Sequence, residues 1–229
     1  MYRWWILGCL LLLAVTHTAR HSIASAPATT APPSPLASAQ AQEASLLAIE
    51  WYTNETVRKA LQAEQAGDAE NARRFGEKAI ESDRKATHIR EQTAAAWLQV
   101  NDTTRAREVW TRAATMAEER ATLLGNRIAT MHQLWQRSAT QPIAAQQEQE
   151  IRYLQALLLT AQQWAVAAEF HQRAQAPARA EAALRRNAAL LPALNANQRL
   201  QTLDSDERLA GAAAQVAAWQ RAAATTVSP

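Results

Sequence analysis

The chain has 229 residues with a single cysteine, Cys9, so it can form neither an internal disulfide nor a thiolate metal site. Its formal net charge is +3, but Arg3 and Arg20 lie in a leader without acidic residues, and removing them leaves 22 of the 24 Lys and Arg against 21 Asp and Glu. A chain so close to neutrality has little long-range attraction for polyanions, and we do not expect it to bind nucleic acid.

Residues 1–24 have the pattern of an export signal: a basic start at Arg3, an apolar run over residues 4–15, and small residues up to Ala24. The run is shorter than the ~20 residues that an ordinary membrane-spanning helix needs, so a cleaved signal is favoured. One alternative is an uncleaved inner-membrane anchor over residues 4–19, and another is a lipoprotein modified at Cys9. All three readings place the folded part in the periplasm or another extracytoplasmic compartment, with membrane contact only through the N-terminal segment.

Residues 25–42 consist largely of Pro, Ala, Ser and Thr and carry no charge. Such a composition cannot bury a core, and its clustered prolines hold the backbone extended. We therefore predict a disordered linker over 25–42 and a helical domain over 43–224.

The first predicted helix runs from Gln42 to Ala66. One stripe carries Leu46, Ile49, Val57 and Ala60, with Leu47, Trp51 and Leu61 beside it. Gly67 is expected to end this helix and Asp68 to cap the next, which runs to Val100. The second helix has small residues at three-four spacing, from Ala72 through Ala79 and Ala86 to Ala96, which predicts close contact with a neighbouring helix.

A third helix is predicted from Thr103 to Ser138 without interruption. Its apolar residues keep helical phase throughout: Ala106, Trp110, Ala113, Ala117, Ala121, Leu124, Ile128, Met131 and Trp135. Later helices are predicted over 144–175, 178–191 and 205–224. The residues expected to face inward are Ile151, Leu154, Leu158, Ala161, Trp164 and Ala168 in the first of these helices, and Leu209, Ala212, Val216 and Trp219 in the last. The fold class is all-α, with long antiparallel hairpins arranged either as a repeat array or as a helical bundle.

Two of the predicted turns are followed by the same short pattern. Gly67-Asp68 precedes Ala72, Phe75 and Ala79, and Asn101-Asp102, 34 residues later, precedes Ala106, Trp110 and Ala113; an offset copy has Ala167, Phe170 and Ala174. The spacing and the small-aromatic-small order resemble the second helix of a tetratricopeptide repeat. The first helices lack the pattern of that family, and 61 residues separate Ala106 from Ala167, which breaks the repeat register. The resemblance implies helical hairpins that bind other proteins.

No catalytic or cofactor motif stands out. Glycines 67, 76, 125 and 211 are isolated, so there is no phosphate loop, and no glutamate precedes His88, His132 or His171 by three residues, as a helical di-metal site requires. We read these histidines as solvent-facing or capping residues. Arginines and glutamates alternate around Arg112 and Arg120, which predicts a solvated helix face. We expect no enzyme activity, no cofactor and no metal.

Tryptophans occur about once per helix, and most are expected in the core. Trp97 and Trp135 lie near predicted helix ends and are our candidates for partner binding, since Trp is enriched among interface hot spots. We expect a non-enzymatic scaffold, periplasmic or tethered to the bacterial envelope, that binds partner proteins in an envelope complex or assembly pathway. One alternative is a bundle that self-associates into a homo-oligomer, as a structural or secretion-apparatus component. A small-ligand or metal site within the bundle is the third hypothesis.

Overall fold

The computed structural model describes residues 33–195, 206 and 209–226, and every regular element in these ranges is helical. This confirms the all-α fold class. The elements are α1 (Pro35–Gln65), α2 (Ala69–Gln99), α3 (Thr103–Gly125), α4 (Ile128–Arg137), a 3-10 turn (Ser138–Thr140), α5 (Ile143–Arg173), α6 (Pro177–Asn195) and α7 (Ala212–Thr226). They belong to one compact unit that begins at Ser34. None of the described helices combines the length and the apolar character that crossing a bilayer requires. The predicted signal or anchor, residues 1–24, lies outside the described residues.

Three hairpin turns share one backbone motif. Gly67, Asn101 and Gln175 adopt φ angles of 76°, 61° and 58°, in the left-handed region. The amide of the following residue donates to the carbonyl five positions earlier, at 2.8 to 2.9 Å, which satisfies a carbonyl of the last helical turn. The turns at Gly67 and Asn101 were predicted. The end of a helix near Gln175 was predicted from Pro177, but the left-handed angle of Gln175 was not, because glutamine seldom adopts this conformation.

Helix α1 begins at Pro35 and not at Gln42. The hydroxyl of Ser34 accepts a hydrogen bond from the Ala37 amide at 3.2 Å, and Pro35 occupies the first turn, where its missing N–H costs nothing. Ala39 is fully buried in the core. The prediction of a disordered linker is therefore wrong for residues 35–42, since a proline that was read as a sign of disorder starts a helix.

The single helix predicted over 103–138 is wrong, because the chain is interrupted at Asn126 and Arg127. Both residues keep right-handed helical angles, and the Arg127 amide bonds to the Leu124 carbonyl three residues back at 3.1 Å. Gly125 and Asn126 are weak helix formers, which places the break here. Because the backbone stays near helical geometry, the apolar stripe keeps its phase across the break, and periodicity could not reveal it.

The C-terminal helices also differ from prediction. Helix α6 continues through Pro192 to Asn195, because Leu191 and Leu194 are 5% and 0% exposed and their packing outweighs the missing amide. Helix α7 starts at Ala212, after a turn over 209–211 in which Gly211 has a φ of 74°, so the single helix predicted over 205–224 is interrupted here; Ser205 lies outside the described residues. Of the residues predicted to face inward here, Leu209, Ala212 and Val216 are buried and Trp219 is half-buried.

Neighbouring helices pack mainly as antiparallel pairs. Helices α1 and α2 form one hairpin, α3 packs along α5, and α5 pairs with α6. Alanines line the contact between α3 and α5, where Ala117, Ala121, Ala167 and Ala168 are all at most 2% exposed, so the two backbones approach closely. A leucine-rich cluster joins α5, α6 and α7, while Leu46, Trp97 and Val109 join α1, α2 and α3.

Candidate functional site

A buried ion pair lies at the centre of the N-terminal hairpin. The Arg90 Nε of α2 donates to Glu50 Oε1 of α1 at 2.8 Å, and both side chains are only 2% exposed. Glu50 lies on the same face of α1 as Leu46 and Thr53, which are fully buried. The inward face of α1 is thus partly charged. The desolvation cost of a buried charge is offset only when that charge has a partner of opposite sign.

Two arginines of α3 extend this pair into a network. Arg112 Nε donates to Glu50 Oε2 at 3.2 Å, and its Nη1 donates to Glu43 Oε1 at 3.3 Å. Arg120 Nη1 donates to Asp83 Oδ1 at 2.8 Å, and Arg90 Nη2 lies 3.6 Å from the same oxygen. We call this set the charge network: Glu43, Glu50, Asp83, Arg90, Arg112 and Arg120.

The prediction of a solvated helix face is therefore wrong at Arg112 and Arg120. Their side chains are 28% and 8% exposed and bridge α3 to α1 and α2. A signal was present in the sequence: Glu43 and Glu50 lie seven residues apart in phase with Leu46. With three carboxylates and three guanidinium groups, the network is balanced in charge. Because its residues lie on three helices, it fixes the register of α1 against α2 and α3.

His171 is fully buried, so the prediction of a solvent-facing histidine is wrong here. Its Nε2 lies 3.0 Å from Glu118 Oε1, which joins α5 to α3. His88 is exposed, as predicted, and contacts Gln92 at 2.8 Å. In the described part of the chain, no three His, Cys, Asp or Glu side chains are grouped so that they could hold a metal ion.

A cleft of about 370 Å³ separates the α1–α2 hairpin from α3 and α5. Its wall is mainly apolar, and its polar lining residues are Thr53, Glu64, Asp83, Arg120, Arg127, Arg152, Gln155 and Gln163. The size and the position between helices are typical of small-ligand sites. The apolar lining residues include Val57, Leu61, Ala72, Ile80, Leu124 and Leu159.

An uncharged stripe on α1 faces solvent. Leu36, Gln40, Ala44, Leu47 and Trp51 recur at three- or four-residue spacing on one side of the helix, and all five are exposed. The exposed fractions are 49% for Leu36, 45% for Leu47 and 69% for Trp51, which is high for large apolar side chains. We call this surface the α1 stripe. The sequence reading placed Leu47 and Trp51 beside the buried face and so missed it, although the same spacing could have revealed a second face.

The structure does not bring the two candidate tryptophans to one surface. Trp97 is 4% exposed and packs with Leu46 and Val109, so the prediction that it is available to a partner is wrong. Trp135 is half-buried, and its ring stacks on Tyr153 with centroids 5.4 Å apart. Trp51, which was not a candidate, is 69% exposed, more than any other tryptophan in the part of the chain that the structure describes.

The small-aromatic-small pattern that resembles the tetratricopeptide repeat lies at the start of α2, after Gly67, and at the start of α3, after Asn101. The offset copy at 162–174 lies within α5 and its C-terminal cap and has no turn before it. Comparison of the chain with protein-family models, with curated proteins and with solved structures finds no match.

Proposed function

We propose that this protein is a non-enzymatic helical scaffold of the bacterial cell envelope, and that it binds a partner protein through the α1 stripe. The observation that carries the proposal is the exposure of Trp51 and Leu47, one helical turn apart. Tryptophan is the residue most enriched at the energetic centres of protein interfaces. The export pattern of residues 1–24 supports the envelope as the location of the partner.

The rest of the hairpin suits a docking role. The charge network holds α1 against α2 and α3 from the inner side, so the stripe is presented on a fixed helix. A preorganised surface loses little conformational entropy when it binds. The length and the uncharged composition of the α1 stripe favour an amphipathic helix as the binding segment of the partner, with the apolar face of that helix covering the stripe.

Site-specific photocross-linking in cells of the source organism tests this proposal. A benzophenone side chain at position 51 is expected to give one defined adduct with another envelope protein. The same group at position 98, where Leu98 is 53% exposed on α2, is the control and is expected to give none. Leu47→Glu is expected to remove the adduct, whereas Leu98→Glu leaves it in place. Equal labelling from both positions would refute the proposal.

Self-association is the alternative function, and the symmetry of the stripe favours it. If two copies of α1 pair antiparallel, Leu36 faces Trp51 of the other copy and Gln40 faces Leu47. In such an isologous interface, a two-fold axis relates the two copies, so both contribute the same surface and every contact occurs twice. In that case the position-51 adduct has twice the mass of the chain, and light scattering of the purified protein gives a dimer that Leu47→Glu converts to a monomer.

A further inference from the structure

The α1–α2 hairpin is connected to the helices that follow it by one short turn. Residues 100–102 link α2 to α3, and we call the helices from α3 to α7 the body. Asn101 in this turn has a φ of 61°, in the left-handed region that asparagine adopts more readily than most residues. A few residues at the end of an element can absorb the change in φ and ψ that a hinge motion requires. The turn is thus a possible hinge between the hairpin and the body.

Apolar contact between the hairpin and the body is concentrated near this turn. Trp97, close to the end of α2, packs in one cluster with Ala106 and Val109 of the first half of α3. Leu46 of α1 belongs to the same cluster and is fully buried. Burial of apolar surface therefore holds the two parts together beside the turn.

Farther from the turn, the cleft separates the two parts. Gly76 lies on the α2 wall of the cleft, and a Cβ added there meets no atom within 4 Å, so the hairpin does not touch the body at this point. Ile80 on the same wall is 59% exposed. Apolar packing thus holds the hairpin at the end with the turn and not at its far end.

The ion pairs between the hairpin and the body all have the same polarity. Five such pairs occur in the described part of the chain, and in each the carboxylate belongs to the hairpin and the guanidinium group to the body. The pairs are Glu43–Arg112, Glu50–Arg112, Asp83–Arg120, Glu64–Arg127 and Glu91–Arg173. Complementary charge of this kind is typical of surfaces that associate as separate parts.

Separating these pairs costs less than separating an apolar contact of the same size, because each charge regains water. The hydration that two charges lose on pairing offsets much of their attraction. Asp83, Glu64 and Glu91 have side chains 40%, 37% and 55% exposed, so they are already partly hydrated in the docked hairpin. The interface is thus built from contacts that can open without a large loss of free energy.

The contact between α1 and α2 survives such an opening. Glu50 keeps Arg90 at 2.8 Å inside the hairpin, so this buried carboxylate does not lose all its partners when the body moves away. Arg90 gives up the face of the Phe170 ring of α5, whose centroid is 5.4 Å from its Cζ, and gains water instead. The hairpin can therefore move as one rigid part.

We propose that the α1–α2 hairpin is a hinged clamp that opens from the body about the turn at Asn101. In the open form, the far end of the hairpin has moved away from α3 and α5 and the cleft is wider. Glu64 and Arg127, which pair at the far end from the turn, form the latch of the clamp. This motion involves the inner side of the hairpin and not the α1 stripe, so it is independent of the proposed function.

Distances between spin labels in the full chain test the clamp. The only cysteine is Cys9, so after Cys9→Ser the labels attach only to introduced cysteines. Glu70→Cys and Thr122→Cys place labels at exposed positions on the far ends of α2 and α3. Lys59→Cys with Glu70→Cys puts both labels on the hairpin and is the control pair. Double electron–electron resonance measures both distance distributions.

High salt is expected to open the clamp. Raising NaCl from about 0.01 M to about 1 M shortens the Debye length from about 30 Å to about 3 Å and weakens the exposed ion pairs. We expect the 70–122 distribution to gain a second, longer distance at high salt, while the 59–70 distribution keeps a single one. The same 70–122 distance at both salt concentrations would refute the clamp. An equal change in the control pair would refute it too, because α1 and α2 then come apart.

Neutralising the latch is expected to favour the open form at low salt. In Arg127→Gln the far end of the hairpin loses its ion pair, and we expect the open fraction to rise at least about threefold. Arg152→Gln is the matched control, since Arg152 also lines the cleft but pairs with Glu148 of its own helix. Equal open fractions in the two variants would overturn the proposal.

Exchanging the two charges of the latch separates its attraction from any other effect of the substitutions. Arg127→Glu faces Glu64 with a second carboxylate and is expected to open the clamp further than Arg127→Gln. Glu64→Arg combined with Arg127→Glu restores a pair of opposite charges, and we expect the open fraction to return toward that of the original protein. An open fraction in the double variant as high as in Arg127→Glu alone would overturn the latch.

Discussion

Removing Glu50 is the most informative test of the charge network. In Glu50→Leu, the only carboxylate left to Arg90 in the network is Asp83, at 3.6 Å, and the only one left to Arg112 is Glu43, at 3.3 Å. Arg90 is 2% exposed, so its charge stays buried with one distant carboxylate and the face of the Phe170 ring, whose centroid is 5.4 Å from Arg90 Cζ. Breaking a buried pair from one side costs about 3–5 kcal/mol, and we expect the free energy of unfolding to fall by that amount.

Removing Arg90 is expected to cost less, because its partners keep other arginines. In Arg90→Met, Glu50 retains Arg112 at 3.2 Å and Asp83 retains Arg120 at 2.8 Å. The free energy of unfolding then falls only by the contribution of the lost hydrogen bonds to charged groups, about 1.5–3 kcal/mol. The geometry therefore predicts an order of stability, with Glu50→Leu below Arg90→Met.

The double variant Glu50→Leu/Arg90→Met leaves the pairs Arg112–Glu43 and Arg120–Asp83 balanced. It is expected to be more stable than Glu50→Leu alone by at least about 1 kcal/mol, since replacing a buried pair by apolar residues is often neutral. Urea unfolding followed by circular dichroism measures all three variants.

The exposed pair Arg73 and Glu77 on α2 is the matched control, with side chains 71% and 61% exposed. The substitutions Arg73→Met and Glu77→Leu are each expected to change stability by less than about 0.5 kcal/mol. An Arg90→Met variant less stable than Glu50→Leu, or single costs that simply add in the double variant, would refute the reasoning about the network.

Two predictions concern the caps at the hairpin turns. Asp102 Oδ1 accepts from the Arg105 amide at 2.9 Å, so Asp102→Ala is expected to lower the free energy of unfolding by about 1 kcal/mol in urea titration, and an unchanged midpoint would contradict this. Hydrogen bonds from the Asn71 side chain and then its backbone amide hold the pKa of Asp68 below its ordinary value of 3.8. This stabilisation is present above that value and is lost as the pH falls through the lowered pKa. The melting temperature difference between the protein and Asp68→Asn should thus be constant above 3.8 and shrink at lower pH, and a difference that grows on acidification would refute it.

The sequence by itself determined the helical class and much of the core. The predicted inward residues of α5 are all buried, among them Leu154, Ala161 and Ala168 at 0%, 0% and 2% exposure. Gly67 and Asn101 marked two of the four left-handed positions in the described part of the chain; the others are Gln175 and Gly211. These features are local, because helical periodicity and turn chemistry depend on residues within a few positions of one another.

Only the tertiary structure decided which face of a helix meets its neighbour. Periodicity shows that Glu50 shares a face of α1 with Leu46 and that Trp51 lies on another face. The face with Glu50 can point inward because its carboxylate is paired with Arg90, which is 40 residues away in the sequence. Trp97 and Trp51 look alike in sequence, yet one packs in the core and the other faces solvent, because α3 covers α2 at Trp97 and no described helix covers the α1 stripe. The cleft beside Gly76 depends in the same way on four helices meeting in space, where burial and pairing of charges are settled by contacts between distant parts of the chain.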